Sequence, residues 1–406
     1  MNENPSPFGG WFISTSSILA AKDGIKLTIA FPKKGLNDVQ VLKGQIINYY
    51  YFPPVSDKGA KSSVGNIHLK KILDEVNPDI VQVFGTEFAH TLAMINICKN
   101  DKVVISIQGL TSVIARHYML GLPVNIQNGF TLRDLVKQDN IKQQQTKFAK
   151  HGRLEIEALQ KVKHIIGRTT WDKACTSQIN PDAKYHFCNE TLKGEFYKHC
   201  WDINRCEKHS IFVSNGSYPI KGLHFMLDAM PLILKRFPDT ILYVGGFNVT
   251  KCDTLKDNLK MLSYGKYIKE LIKKYKLDGK IFFTGLLDER QMCERYLKSH
   301  VFVCPSSIEN SPNSLCEAMI LGVPCIASHV GGIPDLIKHR EEGFVYQTDA
   351  PYMLTHYVCE IFENQDMALS FSKKAREHAL KTHDREENTK SLLKIYKSIL
   401  QSRNSN

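Results

Sequence analysis

The stretch Ser307-Ile308-Glu309-Asn310-Ser311-Pro312-Asn313-Ser314-Leu315-Cys316-Glu317-Ala318-Met319, closed by Leu321-Gly322-Val323-Pro324, decides how this chain reads. The apolar run before it, Val301-Phe302-Val303-Cys304, predicts a buried strand that ends at Pro305. Small and turn-forming residues follow, and a short helix is expected to begin near Asn313. Two carboxylates, Glu309 and Glu317, thus flank a loop that opens a helix. The first turn of a helix offers unpaired N–H groups and the positive end of a dipole, which together suit phosphate.

Spacing argues against one chemistry. The paired carboxylates of a glycosidase sit roughly 5 to 10 Å apart. Eight residues of helix alone rise about 12 Å. Glu309 and Glu317 therefore suit the two ends of one elongated ligand with phosphate between them. A nucleotide-sugar has that layout.

Working outward, short runs rich in Val, Ile and Phe alternate with helix-sized segments. Strands are expected at 26–31, 45–50, 79–84, 102–107, 163–167 and 184–188 in the first half. In the second half they are expected at 209–214, 240–245, 280–284, 300–304, 324–328 and 343–347. Strand–helix alternation implies parallel sheets with right-handed crossovers. Two such sheets fit, with a polar connection near 200–208 and ligands beyond the carboxyl ends of the strands.

Bulk properties narrow the partners. The 406 residues point to two or three domains. No run approaches the ~20 apolar residues of a membrane span, and no signal peptide is visible at the N-terminus. Eleven cysteines are scattered without metal-ligand spacing, as expected for reduced thiols in the cytoplasm. The formal charge of +12 favours anionic partners: a nucleotide-sugar, or the inner face of a membrane carrying acidic lipid. No nucleic-acid-binding signature accompanies that charge. Residues 129–160 interleave Arg133, Lys137, Lys142, Lys147, Lys150 and Arg153 with Phe130, Leu132, Leu135, Phe148 and Leu154. That pattern fits either a lipid-touching surface or an ordinary solvated helix face.

Glu309 and Glu317, with Glu317-Ala318-Met319, Gly322-x-Pro324 and Gly331-Gly332-x-Pro334-Asp335, resemble the donor site of the retaining glycosyltransferases of family 4. The resemblance runs along most of the chain and is most specific over 214–335. It implies an α/β GT-B fold: two Rossmann-like, doubly wound parallel-sheet domains facing a cleft, with the last helix crossing back. On that reading 1–205 form an acceptor-binding domain, 206–370 a nucleotide-sugar domain, and 371–406 the closing helices.

The resemblance also implies roles. Glu317 accepts bonds from ribose hydroxyls, and Glu309 faces the transferred sugar. The backbone N–H groups of Asn313, Ser314 and Leu315 hold the diphosphate. Lys221, in Gly216-Ser217-Tyr218-Pro219-Ile220-Lys221-Gly222, neutralises the leaving diphosphate, so no metal or other cofactor is expected. Gly331 and Gly332 lie beside the sugar, and Gly9 and Gly10 let backbone approach the ligand.

Three departures stand out. The loop 213–217 has no arginine where the family commonly carries one, and Asn215 or Ser217 could bond a phosphate but not replace its charge. Gln108 stands where many relatives have histidine, with His117, His90 and Glu87 as other polar candidates in the first half. The glycine loop usually follows a first strand, yet only four residues precede Pro5-Ser6-Pro7 here, which reads as a truncated or misplaced start, with a sheet built differently as the alternative. The expected activity is transfer of a sugar from a nucleoside diphosphate-sugar to a glycan or lipid-linked acceptor, in surface polysaccharide or glycolipid synthesis. The alternatives are a different GT-B reaction, such as phosphorolysis or epimerisation, or an inactive GT-B protein that binds nucleotide or glycan.

Overall fold

The computed structural model describes residues 10–62, 66–98, 102–252, 254 and 259–404. They form two compact units. The N-terminal unit holds residues 10–113, 148–191 and 383–404. The C-terminal unit holds 114–147 and 192–382. The segment 114–147 thus packs with the later half of the chain, and the final helix Arg385–Asn404 with the earlier half.

The N-terminal unit contains β1 (Thr28–Pro32), β2 (Gln40–Lys43), β3 (Asn48–Phe52), β4 (Val81–Phe84), β5 (Val103–Ser106), β6 (His164–Gly167) and β7 (Lys184–Phe187). These make two sheets, not the single sheet expected: β1-β3-β2 and β4-β5-β6-β7. The four-stranded sheet is parallel throughout, as strand–helix alternation requires. Its central strands are buried on both faces. Val103 and Ile105 join a core with Phe52, Leu92 and Leu159. Val104 and Ile166 face the other way, onto Leu19, Leu392, Ile395 and Ile399. β2 had no counterpart among the expected strands, and it runs antiparallel to β3. All four of its residues are exposed, so no apolar run or alternation marks it.

Gly10 is the first residue of a helix, Gly10–Ala20, whose Leu19 enters that second core. Gly9 lies outside the described residues.

The C-terminal unit carries β8 (Glu207–Val213), β9 (Ile241–Gly245), β10 (Ile281–Gly285), β11 (Ser299–Cys304), β12 (Cys325–Ser328) and β13 (Phe344–Tyr346). All pair in parallel, in the order β10-β9-β8-β11-β12-β13. Ile211, Phe212, Val301, Phe302 and Val303 are fully or almost fully buried at its centre. The strand order turns around between β8 and β11, so the loops after these two neighbours leave in opposite directions. Such a switch point opens a crevice at the carboxyl ends of the strands, where ligands of doubly wound sheets bind.

Candidate functional site

Two loops leave that switch point. The loop after β8 carries Lys221, and the loop after β11 carries Glu309. They are laced together by backbone. Ser307 donates from its N–H (2.9 Å) and its hydroxyl (3.1 Å) to the Ile220 carbonyl. Gly222 has φ +71°, and a Cβ there would lie 1.8 Å from the Pro305 carbonyl oxygen, so only glycine allows this approach. The result places Lys221 Nζ 2.6 Å from Glu309 Oε1. Ser306 donates its hydroxyl to the same oxygen at 2.8 Å. Burial alone would lower the Lys221 pKa, but the adjacent Glu309 carboxylate outweighs it, so the ammonium is held above its ordinary range.

The glycine pair fixes Glu309 from the other side. Gly332 N–H donates to the Glu309 carbonyl at 3.0 Å. Gly331 has φ +51°, with space for a Cβ already filled by that carbonyl oxygen at 1.8 Å. Gly331 and Gly332 therefore position the Glu309 backbone.

The predicted helix begins at Asn313 and runs to Leu321, ending on Gly322 at φ +78°. Pro312 precedes it and supplies no side-chain cap. The helix entrance thus has no side chain competing as N-cap for its N–H groups. Leu315 N–H donates to the Pro312 carbonyl at 3.0 Å, so its availability to a phosphate depends on loosening that turn. Asn313 and Ser314 form the rim of the first turn, both half-buried.

Glu317 lies one turn further along, half-buried. Burial pushes its carboxyl up to about 8; negative Glu289 adds to this, while Lys193 and the Tyr296 hydroxyl oppose it. Tyr296, wholly buried, donates its hydroxyl to the Ser314 carbonyl at 2.9 Å and so ties the helix start to the preceding helix Glu289–Leu297. Tyr296 and Ser306 escaped the sequence reading. Ser306 was findable, being three residues from Glu309; Tyr296 was not, since nothing local marks it.

The side-chain oxygens of the arginine-free loop hold backbone N–H groups. Asn215 Oδ1 accepts from Ser217 N–H at 2.8 Å, and Ser217 Oγ accepts from Phe247 N–H at 3.0 Å. Asn215 Oδ1 thus serves the loop itself, and Ser217 Oγ ties it to the loop after β9.

In the N-terminal unit, Gln108 lies just beyond β5 and donates from Nε2 to Glu190 Oε1 at 2.7 Å. Glu190 is also ion-paired with the buried Arg168. Gln108, Arg168 and Glu190 therefore act as one polar cluster at the carboxyl end of β5 and β6. Arg168 and Glu190 are partners that sequence reading missed. His90 packs against Phe52 and Phe88, at 5.8 and 5.1 Å between ring centres, and burial lowers its pKa to about 4. Burial raises the Glu87 carboxyl and lowers the His117 imidazole. Among the described residues no cluster of His, Cys, Asp or Glu is arranged to hold a metal ion.

Residues 198–378 match the model of the family described as glycosyl transferases group 1. A curated relative, N-acetyl-alpha-D-glucosaminyl L-malate synthase of Bacillus anthracis, is 26% identical over 133 residues, covering 33% of this chain and 34% of that protein. The chain spans less than half the length of the curated relatives it matches. Sucrose-phosphate synthase from Thermosynechococcus elongatus shares the fold, with a TM-score of 0.71 and 15% identity over 96% of this chain and 92% of that one. Anabaena HepE, solved with UDP and glucose, gives a TM-score of 0.68 at 13% identity, covering 98% of both chains. The fold is GT-B, with two parallel-sheet α/β domains. Over residues 198–378, under half of its length, the chain is similar to the glycosyl transferases group 1 family.

Proposed function

We infer that the chain is a retaining glycosyltransferase that uses a nucleoside diphosphate-sugar. The observation that carries this reading is the Lys221–Glu309 pair, set at the switch point immediately before an uncapped helix entrance. In the reaction, the bond from the anomeric carbon to the diphosphate oxygen breaks, and a bond from the acceptor oxygen forms on the same face. The acceptor proton passes to the departing phosphate oxygen. Lys221 has three N–H donors, one of which is taken by Glu309, and the others serve the developing phosphate charge. Glu309 steadies positive charge at the anomeric carbon while bonding sugar hydroxyls. Glu317 takes both ribose hydroxyls on its two oxygens once ionised. Protein side chains supply the countercharge, so the reaction is read as metal-independent.

The acceptor is read as a glycan or lipid-linked sugar of a cell-surface polymer, and the enzyme as cytoplasmic, touching the membrane from inside. The net charge of +12 supports an anionic surface as partner. No helix among the described residues is long and apolar enough to cross a membrane. HepE, whose structure holds UDP and glucose, supports a uridine nucleotide as the first donor to try.

A binding-only protein is the second reading, favoured by Gln108, which cannot titrate near neutral pH and is held by Glu190. The deciding experiment is a thermal-shift panel of UDP, GDP and ADP with their sugars, followed by product analysis. Release of sugar to water or to an acceptor supports the enzyme. Nucleotide binding with no turnover supports the binder. No binding at all sinks both.

A further inference from the structure

Residues 120–137 carry an apolar surface that is exposed among the described residues. Val136 is 81% exposed, Val124 71% and Leu132 63%. Leu135, Phe130 and Leu120 are exposed as well. Isolated exposed apolar side chains are ordinary, but six within seventeen positions form a feature that calls for an occupant.

The fold explains which way these residues point. The helix Leu132–Lys137 starts with a capping box between Thr131 and Asp134. Asp134 is fully buried and accepts the Ser263 N–H at 3.0 Å, anchoring one side of the helix to the C-terminal unit. Leu132, Leu135 and Val136, at i, i+3 and i+4, share the opposite side. The short helix Val124–Gln127 packs on the helix Ser263–Lys274, leaving Val124 outward.

Charge is sorted the same way. Segment 114–147 has five basic and two acidic side chains. Both acids are engaged: Asp134 with Ser263 and Arg133, Asp139 with Arg133 at 3.2 Å and Lys147 at 3.0 Å. Arg116, Lys137 and Lys142 remain exposed. The surface therefore shows apolar tips with cations and no unpaired carboxylate among its described residues.

We propose that this face docks on a membrane whose surface carries anionic lipid, with Val124, Phe130, Leu132, Leu135 and Val136 entering the headgroup boundary and Lys137 and Lys142 meeting lipid phosphate. Apolar side chains flanked by lysine are the composition of interfacial helices, whereas lysine is depleted from protein–protein interfaces. The proposal deepens the membrane contact read above and rests on it. It moves the surface away from 129–160 as a whole: Leu154 is buried in the core of the N-terminal unit, and Lys150 pairs with Asp57 at 2.6 Å.

The test is co-sedimentation of the full chain with vesicles of phosphatidylcholine, alone or with about 30 mol % phosphatidylglycerol. Binding to the anionic vesicles is expected, weakening at least about tenfold in Leu132→Ser/Leu135→Ser/Val136→Ser and weakening with added salt. Lys137→Glu/Lys142→Glu is expected to lose the preference for phosphatidylglycerol. Because these side chains are solvent-exposed, both variants keep the thermal midpoint, which separates docking from misfolding. Equal binding by the variants, no binding by the parent chain, or dimers in buffer that vanish in the triple variant would each overturn the proposal. The readout is binding and not transfer, so it can fail while glycosyl transfer stands, and the reverse.

Discussion

Lys221 Nζ and Glu309 Oε1 meet at 2.6 Å although 88 residues separate them in the chain. The contact exists because β8 and β11 are neighbours and the loops after both strands start from one line. Each partner is mostly shielded, with side chains 30% and 12% exposed. Removing one therefore leaves the other short of its charge partner. Lys221→Ala and Glu309→Gln are each expected to cost about 1–3 kcal/mol of stability. Sugar transfer should fall about a hundredfold or more in each. A double-mutant cycle by denaturant titration measures the coupling; additive effects would show that the pair is incidental.

Glu317 predicts a pH dependence. Its folded pKa of about 8 lies above the ordinary carboxylate value of 4.5, so the folded chain holds this proton more tightly than the unfolded one. Its contribution to stability is therefore present at low pH and is lost as pH rises from about 4.5 through 8. Ribose binding runs the other way, because only the ionised carboxylate accepts two hydroxyl bonds. UDP affinity is expected to rise about tenfold between pH 7 and pH 9. Glu317→Gln should flatten that rise in calorimetric titrations. A parent chain with flat affinity would remove Glu317 from the ribose site.

Gly222 is a conformational requirement. A Cβ there meets the Pro305 carbonyl at 1.8 Å, and the residue sits at φ +71°. Gly222→Ala should destabilise by roughly 2–4 kcal/mol and displace Lys221 from Glu309. A thermal melt and a nucleotide titration on the same sample test both parts. Retention of full stability would mean the two loops can separate at little cost.

Buried histidines predict acid lability. His90, His186, His224 and His300 are each lowered to about 4 by burial. Each is neutral in the folded chain and takes up a proton on unfolding below its ordinary 6.5. Their stabilising contribution is thus complete above 6.5 and is lost as pH falls toward 4. His300 gives this a specific contact, since its Nδ1 accepts the His209 N–H at 3.1 Å and protonation would end that. The melting temperature should fall steadily between pH 6.5 and 4.5, with proton uptake on unfolding. His300→Asn should show a shallower slope than the parent chain.

The strands were legible because buried parallel strands need apolar runs, and each of the twelve expected runs overlaps a strand, but the split of the N-terminal strands into two sheets was not. The helix entrance at Asn313 was legible from Pro312 and the small residues before it. What escaped was non-local or exposed. β2 shows no pattern because it buries nothing. Arg168 and Glu190 acquire meaning only when β6 and β7 lie side by side. The Lys221–Glu309 bond required knowing that β8 adjoins β11, which motif spacing does not encode. The attachment of 114–147 to the C-terminal unit runs through contacts distant in sequence, Asp134 with Ser263 and His224 with the Leu120 carbonyl among them, and the sequence around Asp134 looks like any solvated helix.

The division of the N-terminal unit into two sheets has a practical consequence. Among the described residues, β1 and β4 each stand at the end of their sheet, so each presents a row of backbone donors and acceptors with no described strand beside it. Such rows are templates for a foreign strand. Aggregation during heating, storage or overexpression should therefore nucleate in this half of the molecule, and a charged residue on the outer side of β1 is the economical way to suppress it.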